Sequence, residues 1–279
     1  MLPVLLDLKF IKIYTFGVFL VLAFFWGSFL LWKNIRLTVY KEEELFDGLF
    51  LSIAGALFFG RITYVALNFS KFGFSVLKFI LINGYPGMSL VGAVFGGFLT
   101  LYLYFLSKKI NFIEAADYFI GPLFIALGFG KLGSFFAGSE VGEKTKFFLS
   151  IKYSGFDGLR HLTPFYEAML FFFAAFIAHK LMFDVRRERR PRGFVFFFFL
   201  WFFNLVYFLF DKLKGNKLYF MGQSFNSLVG LVFVLTFSFY FLYYFRSLVL
   251  DYVKSTISKI RERARKSALS RKEKDRKTD

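Results

Sequence analysis

Gly128-Phe129-Gly130-Lys131-Leu132-Gly133-Ser134-Phe135-Phe136-Ala137-Gly138-Ser139-Glu140-Val141-Gly142 interrupts a chain otherwise dominated by runs of Phe, Leu, Ile and Val. How this stretch is read decides the fold. The apolar run leading into it, Phe112–Phe136, is long enough to cross a bilayer, yet it carries Glu114, Asp117 and several glycines. Glycine-rich, irregular backbone is tolerated near lipid depth only where protein shields it or where it lines a wet cavity. A cation such as Lys131 in that setting marks a functional region. Read from the residues alone, the stretch is either an anion site or a flexible helix end with a snorkelling lysine. In the first case glycine amides approach the anion closely beside the lysine.

Outward from this point, the 279-residue chain is 57% hydrophobic, which is too apolar for an ordinary soluble domain of that length. A membrane-crossing helix needs about 20 apolar residues. Such runs lie at Ile13–Trp32, Leu45–Leu67, Met88–Leu106, Phe112–Phe136, Pro164–Phe183, Phe194–Phe210 and Met221–Phe245. The expected fold is therefore all-α, a polytopic membrane protein of about seven transmembrane helices. The polar loop from Gly138 to Thr163 would form a small external cap. The expected organisation is a seven-span membrane domain over 1–248 and a basic tail over 249–279. No cleavable signal is evident at the N-terminus, since Lys9 and Lys12 come late and the run after them is long enough to be retained.

The net charge is +17, and its placement carries the information. Lys33, Arg36 and Lys41 occupy one loop, Lys108 and Lys109 a second, and Arg186, Arg187, Arg189, Arg190 and Arg192 a third. With seven spans these loops and the Lys/Arg-dense tail share one side. The positive-inside rule then places them in the cytoplasm and the N-terminus outside. A tail of this kind is attracted to an anionic inner leaflet. It lacks the aromatic interleaving or motif of a nucleic-acid binder, so no nucleic acid is expected as a partner. The absence of cysteine removes disulfides, thiolate nucleophiles and cysteine metal sites. The 48 phenylalanines fit lipid-facing positions, where insertion scales rank Phe with Leu.

Further polar residues stand out against this background. Arg61 in Gly60-Arg61-Ile62-Thr63-Tyr64 is costly in a span unless it is paired, wet or snorkelling to the headgroups. Gly92 and Gly96 make a small-xxx-small face on which another helix packs, and Gly84-Tyr85-Pro86-Gly87 before them suggests a broken or re-entrant entry. Gly121-Pro122 interrupts the fourth span. His161, next to Arg160 at the start of the fifth span, is either an acid/base or phosphate-facing group or a structural interfacial histidine. Glu167, farther along that span, needs a partner. Tyr207, Asp211 and Lys214 recur at i, i+4 and i+7 and put one polar stripe on a Phe-rich helix.

Taken in order, these motifs resemble the prolipoprotein diacylglyceryl transferase family. The order is Gly-Arg-x-x-Tyr (60–64), Gly-Met-Ser-x-x-Gly-x-x-x-Gly-Gly (87–97), Ala-Asp (116–117), Gly-Lys-x-Gly-Ser-Phe-x-x-Gly-x-x-x-Gly (130–142), Arg-His-x-x-x-x-Tyr-Glu (160–167) and Asp211. The resemblance runs from about Phe16 to Leu228. It implies a seven-span enzyme of the bacterial cytoplasmic membrane. Such an enzyme moves the diacylglyceryl group of phosphatidylglycerol to the lipobox cysteine of a preprolipoprotein, recognising its signal peptide, and releases glycerol phosphate. It implies no metal or cofactor. Carried onto this chain, it makes Lys131 and His161 the catalytic candidates. Arg61, Tyr64, Ser89, Gly130, Gly133, Ser134, Gly138, Glu140, Gly142, Arg160, Tyr166 and Asp211 become candidate substrate-binding residues. The chain departs from the family pattern in several places. Val91 stands where the third-span histidine is expected, Lys131 where the signature arginine is, and Tyr207 where a sixth-span arginine is. Ser134, Ala137 and Ser139 replace two amides and a carboxylate, with Glu140 adjacent to the latter position. These departures leave a second expectation open, a non-catalytic relative that binds phospholipid or lipoprotein precursors.

Overall fold

A computed structural model describes residues 2–8, 12–82, 84–153 and 155–246. Its elements in chain order are β1 (Val4–Asp7), β2 (Lys12–Tyr14), α1 (Thr15–Ile35), α2 (Glu42–Leu67), α3 (Phe69–Phe72), α4 (Val76–Ile80), α5 (Leu90–Ser107), α6 (Phe112–Ala137), β3 (Ser150–Lys152), β4 (Leu159–His161), α7 (Thr163–Arg186), α8 (Phe194–Asp211), β5 (Tyr219–Phe220), β6 (Gln223–Ser224) and α9 (Phe225–Tyr244). Seven of the helices, of 18 to 26 residues, are long and apolar enough to cross a membrane. At 1.5 Å per residue they span about 27–39 Å. The chain divides into two compact units, Met1–Val234 and Leu235–Asp279. Every candidate site residue lies in the first. The basic tail expected over 249–279 lies outside the described residues.

All seven expected spans form helices, and the fourth shows why it can. Glu114 sits in the first turn of α6 and pairs with Arg192 at 2.6 Å. Asp117 is buried, and its two carboxylate oxygens accept the Gly193 and Phe196 amides at 2.7 and 2.9 Å. Those amides are among the free donors at the start of α8, so an acid on one helix caps its neighbour. The expected interruption at Gly121-Pro122 does not occur, because α6 runs unbroken past Pro122. Proline removes the amide that would have bonded the carbonyl four residues back. That carbonyl, of Tyr118, instead accepts the Asn34 side-chain amide from α1 at 2.9 Å.

Pairing among the helices follows the small residues. The small-residue face of α5 packs on α2, and a Cβ added at Gly92 or Gly96 would lie 2.3 Å from Thr63 Oγ1 or 2.1 Å from Phe59 Cβ. α1 packs on α6, where a Cβ at Gly133 would meet Phe19 Cβ at 2.6 Å. α6 also packs on α7, and α7 on α8. Between α1, α2, α5 and α6 lies an apolar cavity of about 250 Å³, lined by small side chains such as Ala23, Gly27, Ala56, Ala93 and Gly97.

Two of the helix starts that differ from the sequence expectation show the physical reason. The third long helix begins at Leu90, not Met88, because the Ser89 hydroxyl caps it by accepting the Gly92 amide at 3.1 Å. The last begins at Phe225, not Met221, because Met221 and Gly222 take positive φ values of 48° and 80° and turn the chain through the β5–β6 hairpin. The expected cap is present as the antiparallel β3–β4 hairpin.

Candidate functional site

The signature stretch is more regular than its glycines suggest. α6 continues through Ala137, and Gly138 ends it in the left-handed conformation that glycine favours, at φ 68°. The Gly138 and Ser139 amides turn back to the Phe135 and Ser134 carbonyls at 3.1 Å each. Gly130 and Gly133 therefore lie inside a helix, where backbone amides bond along the helix axis. Gly133 makes the close approach to α1, whereas a side chain at Gly130 would meet open space.

Lys131 neither frays nor snorkels. It is 4% exposed and sits in an ion cluster built from α6, α7 and the segments that follow α6 and α8. Its ammonium donates to both Glu140 carboxylate oxygens, at 2.9 and 2.7 Å, and lies 2.8 Å from Glu167 Oε2. The other Glu167 oxygen is 2.5 Å from the ammonium of Lys214. Glu167, on α7, is fully buried, which meets the partner requirement its place in a span imposes. Its two ion contacts lie outside hydrogen-bond geometry, so they act mainly through charge. The Tyr207 ring lies beside both ammonium groups, with its centroid 5.4 Å from Lys131 Nζ and 4.0 Å from Lys214 Nζ. These contacts are within cation–π range. The polar stripe on α8 thus faces the protein interior, with Tyr207 and Asp211 both buried.

The loop after α6 is held so that Glu140 reaches Lys131. Gly142 forms an antiparallel bridge with Lys214, the Gly215 amide donates to the Val141 carbonyl, and the Glu143 amide donates to the Leu213 carbonyl. On the other side the His161 amide donates to the Glu143 carbonyl, and Arg160 Nη1 donates to the Gly142 carbonyl at 3.0 Å. Gly142 must be small, because an added Cβ would lie 2.3 Å from the His161 carbonyl oxygen. Glu140 is the half-exposed member of the cluster, its side chain 35% accessible. Burial pushes its carboxyl up, but the Lys131 and Lys214 ammonium groups outweigh that and hold it below the ordinary value of 4.5, helped by a hydrogen bond from Ser134.

The remaining candidates fall into two places. His161 and Tyr166 adjoin the cluster's loop. The His161 ring lies 6.0 Å from that of Phe147 and 6.4 Å from that of Tyr166, its Nδ1 buried without a hydrogen-bond partner. The Tyr166 hydroxyl donates to the Leu149 carbonyl. Burial pushes the neighbouring Tyr153 hydroxyl up to about 12, with smaller contributions from Tyr166 and Glu140.

Arg61, Tyr64 and Ser89 are placed elsewhere. The Arg61 guanidinium is buried and donates to the Phe79, Gly87 and Lys78 carbonyls at 2.9, 2.7 and 2.8 Å. It also lies over the Phe72 ring at 5.1 Å. It is neither wet nor snorkelling, and it ties the α3–α4 segment and the entry of α5 to α2. Tyr64 packs its ring where a Cβ on Gly87 would fall, and Ser89 caps α5. Among the described residues no group of three or more His, Cys, Asp or Glu side chains is arranged to hold a metal ion.

Two cluster members fall outside the candidate set read from sequence. Glu167 was signalled by a carboxylate within a span, and Lys214 by its i, i+4, i+7 spacing from Tyr207 and Asp211. Spacing alone could not show that both converge on Lys131.

Comparison with known proteins identifies the family. Residues 3–243 match a family model described as prolipoprotein diacylglyceryl transferase. Proteins named phosphatidylglycerol–prolipoprotein diacylglyceryl transferase are among its relatives. That of Clostridium tetani is 27% identical over 199 residues, 69% of this chain and 78% of the relative. That of Clostridioides difficile is 26% identical over 209 residues, 75% of this chain and 81% of the relative. That of Geobacter sulfurreducens is 30% identical over 212 residues, 74% of this chain and 80% of the relative.

Proposed function

The chain belongs to the prolipoprotein diacylglyceryl transferase family, and from that premise we propose that it transfers the diacylglyceryl group of phosphatidylglycerol to the lipobox cysteine thiol of a preprolipoprotein. Glycerol phosphate is the leaving group. The observation that carries this reading is the placement of Lys131, a nearly buried cation held beside a half-exposed carboxylate. It lies at the end of α6 away from the cationic loops at 33–41, 108–109 and 186–192.

In the proposed reaction the lipid phosphate takes up the Lys131 ammonium, exchanging for Glu140. The cysteine sulfur attacks the glyceryl carbon that bears the phosphate. A carbon–sulfur bond forms, the carbon–oxygen bond breaks, and the electron pair leaves with glycerol phosphate. An ammonium aimed at the phosphate stabilises the charge that develops there. The thiol proton passes to a base, for which Glu140 and His161 are the two groups in place. Glu140 has the more direct position, because it touches Lys131. The apolar cavity between α1, α2, α5 and α6 supports a lipid substrate. Leu127 lines it one helical turn before Lys131, so an acyl chain can run along α6 from a headgroup at the cluster. In this proposal the protein resides in the bacterial cytoplasmic membrane, and the acceptor is the signal peptide of a lipoprotein precursor.

The decisive experiment is transfer from radiolabelled phosphatidylglycerol to a lipobox peptide by the purified protein. Wild type should release glycerol phosphate and label the peptide. Lys131→Ala should abolish labelling and Lys131→Arg should retain it, because charge at this position is required and a guanidinium also serves phosphate. A folded wild type that retains phosphatidylglycerol but never labels the peptide would establish the non-catalytic, lipid-binding relative instead. That second reading is favoured by Val91, which is buried and apolar where the family pattern has a histidine.

A further inference from the structure

Charge balance within the cluster assigns a role to Lys214. Four charged groups are joined in a row, in the order Glu140, Lys131, Glu167 and Lys214. Two ammonium groups face two carboxylates, so the row is neutral as it stands. Asp211, the last residue of α8, makes no ion pair with either lysine, although one of its oxygens is buried without a hydrogen-bond partner. Only the Glu140 end of the row is open, since the Glu167 side chain is 0% and the Lys214 side chain 8% accessible.

An anion arriving at the open end must compete for Lys131. Taking a charge out of water is costly unless it is neutralised locally, so buried Glu167 needs a counter-charge. With Lys214 present, Glu167 retains one ammonium when Lys131 turns toward an incoming phosphate. Without Lys214, Glu167 would hold Lys131 in competition with the ligand, and the three remaining groups would carry a net negative charge that repels an anion. We infer that Lys214 is a positioning residue which neutralises buried Glu167 and thereby frees Lys131 to bind a lipid phosphate. The fold supports this in two further ways. The backbone bridge between Gly142 and Lys214 ties the lysine to the loop that carries Glu140. The Tyr207 ring, 4.0 Å from the Lys214 ammonium, supplies a face that favours a cation there.

The inference rests on the lipid-phosphate reading of Lys131 but not on turnover, so binding and transfer are measured separately. Binding is followed by calorimetric titration of dihexanoyl phosphatidylglycerol into the detergent-solubilised protein, and transfer by KM and kcat with the lipobox peptide. Lys214→Met should weaken binding and raise KM for the lipid by about tenfold or more, with kcat changed much less, the signature of lost uniform binding. Lys214→Arg should stay within about threefold of wild type, because the charge is kept. The discriminating variant is Glu167→Gln, which removes the competitor for Lys131. It should bind the lipid as tightly as wild type or more tightly, and in the Lys214→Met background it should restore affinity.

A purely structural role for the Lys214–Glu167 pair predicts the opposite, that Glu167→Gln weakens binding as much as Lys214→Met does. That result would overturn the inference, as would unchanged affinity in folded Lys214→Met. If Lys214→Met does not fold, Glu167→Gln alone decides, and weakened binding in it counts against the inference. Failure of wild type to label the peptide while binding follows the expected order would refute the transferase reading and leave the role of Lys214 standing.

Discussion

Lys131 is the cation of the glycine-rich stretch, and the structure shows what surrounds it. Lys131 keeps the charge, and its ammonium is held by Glu140 on one side and Glu167 on the other. Glu140 lies two positions past Gly138, whose turn brings it back onto the helix end. Its carboxyl is held below the ordinary value, so its ion pair stabilises the folded state fully above the unfolded value of 4.5. That contribution is lost as pH falls through the lower folded value. Thermal unfolding of the solubilised protein should therefore show wild type losing stability below about pH 4.5 more steeply than Glu140→Gln. The two should run parallel between pH 6 and 8. Parallel curves throughout the acid range would mean that the pair does not stabilise the fold.

Among elements, α6 and α8 are linked in a way that hydropathy does not reveal. An acid near the start of α6 caps the start of α8, and Tyr207 on the same α8 helix lies beside the cluster near the far end of α6. Asp117→Ala would leave the Gly193 and Phe196 amides without their acceptor. It should destabilise the protein by about 1–2 kcal/mol, as loss of a helix cap typically does. Asp117→Asn, which keeps one acceptor oxygen, should cost less. Thermal unfolding ranks the two variants, and equal stability of Asp117→Ala and wild type would show that water replaces the cap. Asn34 serves α6 in a related manner by bonding the carbonyl that Pro122 releases. Polar residues in these helices thus complete the backbone of a neighbour, as an apolar surrounding requires.

For the molecule as a whole, the distribution of charge over the helix ends predicts an orientation. The loops at 33–41, 108–109 and 186–192 share one end of the helices, and the cluster lies toward the other. The positive-inside rule predicts that the first end is cytoplasmic and that the cluster faces outward. The chain has no cysteine, so single cysteines at Lys108 and Lys146 report without background. In intact cells a membrane-impermeant maleimide should label Lys146→Cys at once and Lys108→Cys only after permeabilisation. The reverse pattern would invert the topology.

Length, hydrophobic runs and the order of short motifs were enough to read seven membrane helices and a family resemblance, because crossing a bilayer demands long apolar helices whatever their partners. The spacing of Tyr207, Asp211 and Lys214 was equally visible, and it places the first two on one face of α8, which ends at Asp211 so that Lys214 lies three residues beyond it. What the stripe faces was decided only by tertiary structure. Glu167 and Lys131 lie 36 positions apart on neighbouring helices, and Lys214 comes still later in the chain. Whether each charge is paired, buried or wet depends on which helices touch and at what height. The same holds for Arg61, whose guanidinium bonds backbone carbonyls of a segment that begins after its own helix ends. Side-chain type sets what a residue can do chemically, and packing sets which groups it meets.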